Sequence, residues 1–211
     1  MEALTECRFC NIVGGKYRYE RIDEPFASND EFIAVASIGA FVEGWSLIIP
    51  RIHQLSMKDF YTRPQFANLV RSVGSLLTRQ YGPLIAFEHG SNKEGSITAC
   101  GTDHGHLHLV PCRESLLPQL LGSRMQWVRT LPSEIPATSG DNEYLFYCEL
   151  GVEHMWEDTV GYVHILSSPI SQFFRRVLAD RIGLAEISDY RRFPHFKVAE
   201  VTRKVLAKSA A

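Results

Sequence analysis

The sequence predicts an α+β fold built on an antiparallel sheet. Two observations carry this prediction: short apolar segments beside turn residues indicate strands, and strand-like and helix-like segments do not alternate regularly along the chain. A doubly wound parallel sheet would require that alternation, so the α+β class is favoured. The length of 211 residues suggests one or two domains and suffices to bury a core without disulfides or metals.

The first half of the chain contains four strand-like segments and one long helical segment. Strands are predicted at residues 31–36, 45–50, 83–89 and 103–111. Residues 57–81 place apolar side chains at helical spacing, and Pro64 indicates where the helix starts.

A segment rich in Pro, Ser and Gly, residues 131–142, predicts a connector to the second half. Beyond it, residues 143–150 and 162–167 are typical of strands. Ser168 and Pro169 indicate the start of a helix that runs to about residue 182. A last amphipathic helix is predicted from the spacing of Val198, Val201 and Val205.

Charge and hydropathy exclude several classes of protein. Lys and Arg number 22 and Asp and Glu number 24, a net charge of −2, which with no basic run argues against a nucleic-acid or membrane-surface protein. The longest apolar run, residues 32–42, has 11 residues, too few for a membrane span of about 18. Residues 1–6 lack the features of a signal peptide, so the cytoplasm is expected, where cysteines stay reduced and available to a metal.

The strongest chemical signal is a row of alternating histidines, His104, His106 and His108. On a strand these three imidazoles would share one face, with Leu107 and Leu109 on the core face. Such a row can bind a metal, or one histidine can act as a nucleophile while its neighbours donate hydrogen bonds, as attack on phosphorus requires. The alternative is the polar face of an edge strand.

Three motifs in order resemble the histidine triad (HIT) superfamily. They are Cys7-Arg8-Phe9-Cys10 with the residues up to Lys16, the segment from Leu47 to His53, and the histidine row. The resemblance covers about residues 7–112 and implies an α+β fold with a five-stranded antiparallel sheet and helices. We therefore predict a catalytic domain at 1–115, a connector at 116–143, and an α/β C-terminal extension at 144–211 that packs on the catalytic domain.

The resemblance also implies roles for individual residues. His106 would attack the α-phosphorus of a nucleotide and form a nucleotidyl-histidine, and His108 would hold and polarise the site. A structural Zn²⁺ would be bound by four residues, Cys7, Cys10, His53 and His104. A Cys-x-x-Cys pair alone is a weak signal, but two thiolates and two imidazoles make a closed tetrahedral set.

The chain departs from the family pattern at four positions around the expected phosphate and ribose sites. Ser37 replaces an Asp that contacts ribose, and Gly101, followed by Thr102, replaces a phosphate-binding Ser. Gly105 replaces an apolar residue, and His89 stands where the family often has Asn or Gln. Thr102 and the backbone amides near Gly101 are candidate anion donors.

About a hundred residues follow the row, and we expect them to contribute to the site. Arg175 or Arg176 would reach a substrate phosphate; the alternative is that both are solvated charges. The expected partner is a small nucleotide, with no nucleic acid and no membrane, and the family resemblance allows a homodimer.

The function that the resemblance implies is hydrolysis of a nucleoside phosphate or phosphoramidate. Three alternatives stay open: a nucleotidyltransferase of the same superfamily, a zinc-structured nucleotide-binding protein without turnover, and a metallohydrolase whose triad holds the catalytic ion.

Overall fold

The computed structural model describes residues 7–151, 153 and 155–209. The helices in this part are α1 (Arg8–Val13), α2 (Pro64–Tyr81), α3 (Leu117–Leu121), α4 (Ile135–Ser139), α5 (Phe173–Arg181) and α6 (Phe196–Ser209). The strands are β1 (Ala27–Ser28), β2 (Phe32–Ala36), β3 (Ser46–Pro50), β4 (Leu84–Gly90), β5 (Leu107–Pro111), β6 (Val128–Thr130), β7 (Tyr144–Leu150) and β8 (Gly161–Ile165). The expectation about a signal peptide concerns residues 1–6, which lie outside the described residues. No helix in the described part has both the length and the apolar character that a bilayer crossing needs.

The strands form one antiparallel sheet in the order β1-β2-β3-β5-β4-β7-β8-β6. The α+β class is therefore confirmed. The sheet has eight strands where five were expected, because β7 pairs along β4 from Leu84↔Leu150 to Gly90↔Tyr144. The strands beyond the predicted connector thus continue the sheet that carries the histidine row.

Both faces of the sheet are covered, and the two faces have different roles. On one face α2 packs against residues such as Phe32 and Ala34 of β2. The opposite face packs against α1 and α5 and takes the alternate β2 residues Ile33 and Val35. The side chains at 107 and 109 of β5 point toward α2, so the residue between them, His108, lies on the α1 and α5 side.

The start of α2 at Pro64 agrees with the sequence prediction, whereas α5 begins at Phe173 rather than at Pro169. The amide of Ile170 donates to Thr98 Oγ1 at 3.2 Å, and the amide of Gln172 donates to Cys100 Sγ at 3.1 Å. Gln172 has a left-handed backbone with φ 54°, which a helix interior does not allow. These tertiary contacts delay the helix.

Two further sequence predictions are corrected by the structure. β5 begins at Leu107 rather than at residue 103, so only His108 of the row lies in a strand. In α6 the buried residues are Ala199, Thr202 and Leu206, while Val201 is 40% exposed. The buried stripe is therefore displaced by one residue from the predicted valine stripe.

Candidate active site and metal-ligand cluster

The tautomer of His108 is determined by a neighbouring tryptophan. Trp45 donates its indole Nε1–H to His108 Nδ1 at 2.9 Å. An indole nitrogen only donates, so Nδ1 accepts and the neutral ring carries its proton on Nε2. Burial lowers the pKa of His108 well below its ordinary value. His108 is therefore a neutral imidazole with an Nε2–H donor.

His106 has the opposite tautomer. Its Nδ1 lies 2.8 Å from the carbonyl oxygen of His104, and because a carbonyl only accepts, Nδ1 carries the proton. The lone pair is then on Nε2. Burial is the main cause that lowers the pKa of His106 to about 4, and the centroids of the His106 and His108 rings are 4.8 Å apart. A neutral imidazole with a free Nε2 lone pair is what nucleophilic attack requires.

Gly105, a departure from the family pattern, has a steric explanation. A Cβ at this position would lie 2.6 Å from the carbonyl carbon of Ser56 and 2.9 Å from its amide nitrogen. The amide of Gly105 also donates to the carbonyl of Gln54 at 2.5 Å. The backbone of the segment after β3 thus packs directly on the histidine row, and no side chain fits between them.

His104 belongs to a separate cluster of metal-ligand type. Its Nε2 donates to the carbonyl of Pro50 at 2.9 Å, so the free lone pair is on Nδ1. That Nδ1 lies 3.4 Å from Cys7 Sγ and 3.6 Å from Cys10 Sγ, and His53 Nδ1 lies 3.3 Å from Cys10 Sγ. All four ligand atoms lie within 4.8 Å of one another.

The spacing of the four atoms fits a tetrahedral ion. With metal–sulfur and metal–nitrogen bonds of about 2.3 and 2.0 Å, tetrahedral geometry separates sulfur from nitrogen by about 3.5 Å. The three measured separations lie between 3.3 and 3.6 Å. Two sulfur and two imidazole donors are a zinc-type set. The structure therefore brings together a cluster that could hold a metal.

A cavity of about 720 Å³ lies beside the histidine row. Its lining includes His106, His108 and five of the six residues predicted to bind substrate, namely Ser37, His89, Gly101, Thr102 and Arg175. Arg176, the sixth, is exposed and is not part of the lining. One helix thus places neighbouring arginines in two different environments.

Arg175 is held by several contacts at once. Its Nη2 donates to the carbonyl of Gly39, and its Nε donates to the carbonyl of Ser188 at 3.2 Å. Its guanidinium carbon lies 4.6 Å from the centroid of the Trp45 ring. Burial lowers the pKa of Arg175 to about 10, so it stays charged at neutral pH.

His89 and the turn at Cys100 also line the cavity. The amide of Phe174 at the start of α5 donates to His89 Nε2 over 3.5 Å. Burial lowers the pKa of His89 to about 3, so this ring is also neutral. Cys100 and Gly101 have positive φ angles of 56° and 81°, and the amides of Cys100 and Thr102 donate to the carbonyls of Ile97 and Ala99 within this turn.

Sequence reasoning missed two parts of the lining. One is the segment before α6, which contributes Tyr190 and Arg191; the Tyr190 hydroxyl donates to the carbonyl of Cys100. The other is Arg8 with Arg18 and the Tyr19 ring. The position of Arg8 between the two cysteines could have indicated that it lies near the site. The local sequence around Tyr190 contains no comparable signal for a place in the cavity lining.

No protein-family model and no curated protein matches this chain. Among solved structures, a HIT family protein from Bacillus anthracis is 21% identical with a TM-score of 0.40, over 54% of this chain and 77% of that chain. A Zn-bound histidine triad family protein from Mycobacterium smegmatis is 27% identical with a TM-score of 0.35, over 52% and 76%.

A histidine triad protein from Clostridium difficile is 17% identical with a TM-score of 0.37, over 55% of this chain and 96% of that chain. All three are named as proteins of the family that the sequence motifs resemble.

Proposed function

We propose that this chain is a histidine triad protein that hydrolyses a nucleoside phosphate or phosphoramidate through a nucleotidyl-histidine at His106. The observation that carries the proposal is the pair of opposite tautomers. His106 has its lone pair on Nε2 because Nδ1–H is donated to the His104 carbonyl, and His108 has a donor Nε2–H because Nδ1 accepts from Trp45. Nucleophile and donor are adjacent in the wall of one cavity.

The reaction follows from these protonation states. The Nε2 lone pair of His106 forms a bond to the α-phosphorus, and the bond from phosphorus to the leaving oxygen or nitrogen breaks. The leaving group takes up a proton from solvent water, and the water that later attacks phosphorus returns one proton to the solvent. The Nε2–H of His108 donates to a phosphoryl oxygen as charge develops on it. Water then attacks the phosphorus of the nucleotidyl-histidine, releases the nucleotide and restores neutral His106.

Three groups in the cavity wall are suited to substrate contacts. The Thr102 hydroxyl and the amide of Gly101 offer donors to phosphate oxygens, whereas the amides of Cys100 and Thr102 already donate to the carbonyls of Ile97 and Ala99. Ser37 takes the place next to the ribose. His89, neutral and buried, offers Nδ1–H because its Nε2 accepts from Phe174. The partner is accordingly a small nucleotide.

We further propose that Cys7, Cys10, His53 and His104 hold a structural Zn²⁺. Four protein ligands close the coordination sphere, so the ion supplies rigidity and no open position for water. It would join α1 and the segment after β3 to the backbone that carries His106. The His104 carbonyl, which accepts from His106, would be held in place through the ring of the same residue.

Intact-protein mass measurement after incubation with nucleotides and nucleoside phosphoramidates tests the proposal. We expect a nucleotidyl adduct on the wild type that is absent in His106→Ala. An adduct discharged by an added phosphate or amine faster than by water would indicate a nucleotidyltransferase. Ligand binding without adduct or turnover would indicate a binding protein. Loss of turnover on chelation with the fold retained would favour a metallohydrolase.

A further inference from the structure

Arg8 is a cation in the wall of the catalytic cavity to which the sequence motifs assign no role. It lies between the two cysteines of the candidate metal cluster and is the first residue of α1. Its Nη2 donates to Asp23, which is fully buried. Asp23 also accepts from the amide of Tyr19 at 2.9 Å. The arginine is therefore directed by an internal carboxylate and does not extend freely into solvent.

The guanidinium retains unused donor capacity. Within the part of the chain that the structure describes, Nη2 is its only nitrogen with a hydrogen-bond partner, and the buried Nε has none. The rings of Phe9 and Tyr19 flank it, each with its centroid 5.5 Å from the guanidinium carbon. A structural ion pair in a protein interior ordinarily uses more of its donors, because an unpaired buried donor is costly.

The position of Arg8 relates it to the nucleophile. Phe9, which Arg8 flanks, contacts the His106 ring edge-to-face with centroids 5.1 Å apart. Arg8 and His106 line the same cavity, in which phosphoryl oxygens would lie during attack.

We propose that Arg8 is a catalytic residue that binds the phosphoryl oxygens of the group transferred to His106, with Asp23 fixing its orientation. This inference rests on the function proposed above. A guanidinium offers a fixed charge and a planar set of donors, and it is worth most where charge develops in a cavity with little water. The ligand class is a phosphate monoanion or dianion held at His106.

The test compares Arg8→Gln, Arg8→Lys and the control Arg21→Gln. Arg21 is exposed, lies in the adjoining 3-10 turn and is not part of the cavity lining, so the control removes the same charge from the same segment. We expect Arg8→Gln to slow adduct formation about 100-fold. We expect Arg8→Lys to slow it about 10-fold, because the charge is kept and the planar donor set is lost. In both variants kcat/KM should fall through KM as well as kcat, because the guanidinium would contact the phosphoryl oxygens both in the bound state and in the transition state.

Titration with a nucleoside monophosphate and with inorganic phosphate, followed by calorimetry, gives a readout that does not need turnover. If the wild type forms no adduct, the proposed function fails, but weaker binding of both ligands in Arg8→Gln than in Arg21→Gln still supports the assignment. Adduct rates and affinities within twofold of the control would overturn it and leave Arg8 as a structural partner of Asp23. Metal content and melting temperature are measured alongside. Should Arg8→Gln not fold, Arg8→Lys decides, and an unchanged rate in that variant refutes the proposal.

Discussion

Trp45 donates its indole N–H to Nδ1 of His108 at 2.9 Å, and this one contact places the proton of the neutral His108 ring on Nε2. The contact joins residues 63 positions apart: Trp45 directly precedes β3, and His108 lies in the neighbouring strand β5. Without it, His108 could adopt the other neutral tautomer and present a lone pair to a phosphoryl oxygen.

Trp45→Phe is therefore expected to lower the rate of adduct formation about 10- to 100-fold, as the loss of such orienting hydrogen bonds commonly does. The control is Trp156→Phe, since Trp156 is equally buried and donates to the carbonyl of Tyr61 away from the cavity. Both variants should lose stability. Equal rates per folded molecule in the two variants would show that the tautomer does not matter.

Gly105→Ala tests whether the histidine row needs the close backbone approach at Ser56. The new Cβ would meet backbone atoms at 2.6 to 2.9 Å, which cannot move as a side-chain tip can. We expect a loss of about 1–3 kcal/mol in the free energy of unfolding and a lower adduct rate, since His104 and His106 must shift. Gly151→Ala, where the new Cβ meets nothing within 4 Å, should change neither. Urea denaturation measures the change in unfolding free energy, and adduct kinetics measure the change in rate; equal values for Gly105→Ala and Gly151→Ala would contradict the prediction.

Metal removal should loosen the N-terminal segment. Cys10→Ser is expected to abolish stoichiometric zinc and to increase hydrogen exchange in α1, because binding energy at a closed site also stabilises the fold. Cys112→Ser is the control, since Cys112 is a free cysteine outside the cluster. Metal analysis showing equal zinc in the two variants would refute the ligand set.

Local patterns predicted the elements whose positions depend on local residues. Strands β2, β3 and β4 lie within one residue of their predicted ranges. The apolar spacing placed α2 in residues 57–81, and Pro64 within that range correctly indicated where the helix begins. The delayed start of α5 depends on Thr98 and Cys100, more than seventy residues away in sequence. No pattern within a short window can report such contacts.

The residues of the candidate site likewise fall into those that local motifs predicted and those whose position depends on contacts distant in sequence. Residues within motifs, from the Cys-x-x-Cys pair to the histidine row, were identified from spacing and resemblance, and the structure brings them together in one cluster and one cavity wall. Tyr190 lines the cavity, and its hydroxyl donates to the carbonyl of Cys100, ninety positions earlier. Its contribution is a property of the folded chain.

Glu88 should make stability depend on pH near neutrality. It is fully buried in β4 and accepts from the Tyr61 and Tyr144 hydroxyls and from the amide of Met57, each at 2.5 Å. Burial raises the pKa of Glu88 from 4.5 to about 7, although these hydrogen bonds and the charge of Lys58 oppose the shift.

Between pH 4.5 and 7 the folded state therefore binds a proton that the unfolded state has released, so stability falls as the pH rises through this window. The contribution of protonated Glu88 to the free energy of unfolding is complete below the unfolded pKa, and about 3 kcal/mol of it is lost once the pH exceeds the folded pKa. Glu88→Gln mimics the protonated carboxyl and should remove this slope. Parallel pH profiles of unfolding free energy for the wild type and the variant would contradict the shifted pKa.

The neighbouring arginines of α5 offer a matched pair for testing the C-terminal contribution to the site. Arg175 binds the carbonyls of Gly39 and Ser188 and packs on Trp45, and it lines the cavity, whereas Arg176 is exposed. Arg175→Ala leaves two carbonyls without their donor and removes support from the tryptophan that orients His108.

We expect Arg175→Ala to lower the free energy of unfolding by about 1–3 kcal/mol for the orphaned carbonyls and to lower kcat more than KM, because the contacts it loses position His108. Arg176→Ala should leave stability and both kinetic constants within twofold of the wild type, since a solvated charge makes little net contribution. Thermal denaturation and initial rates on the best substrate of the nucleotide panel provide the measurements. If folded Arg175→Ala keeps wild-type kcat and KM, Arg175 only packs against the cavity wall and takes no part in positioning His108.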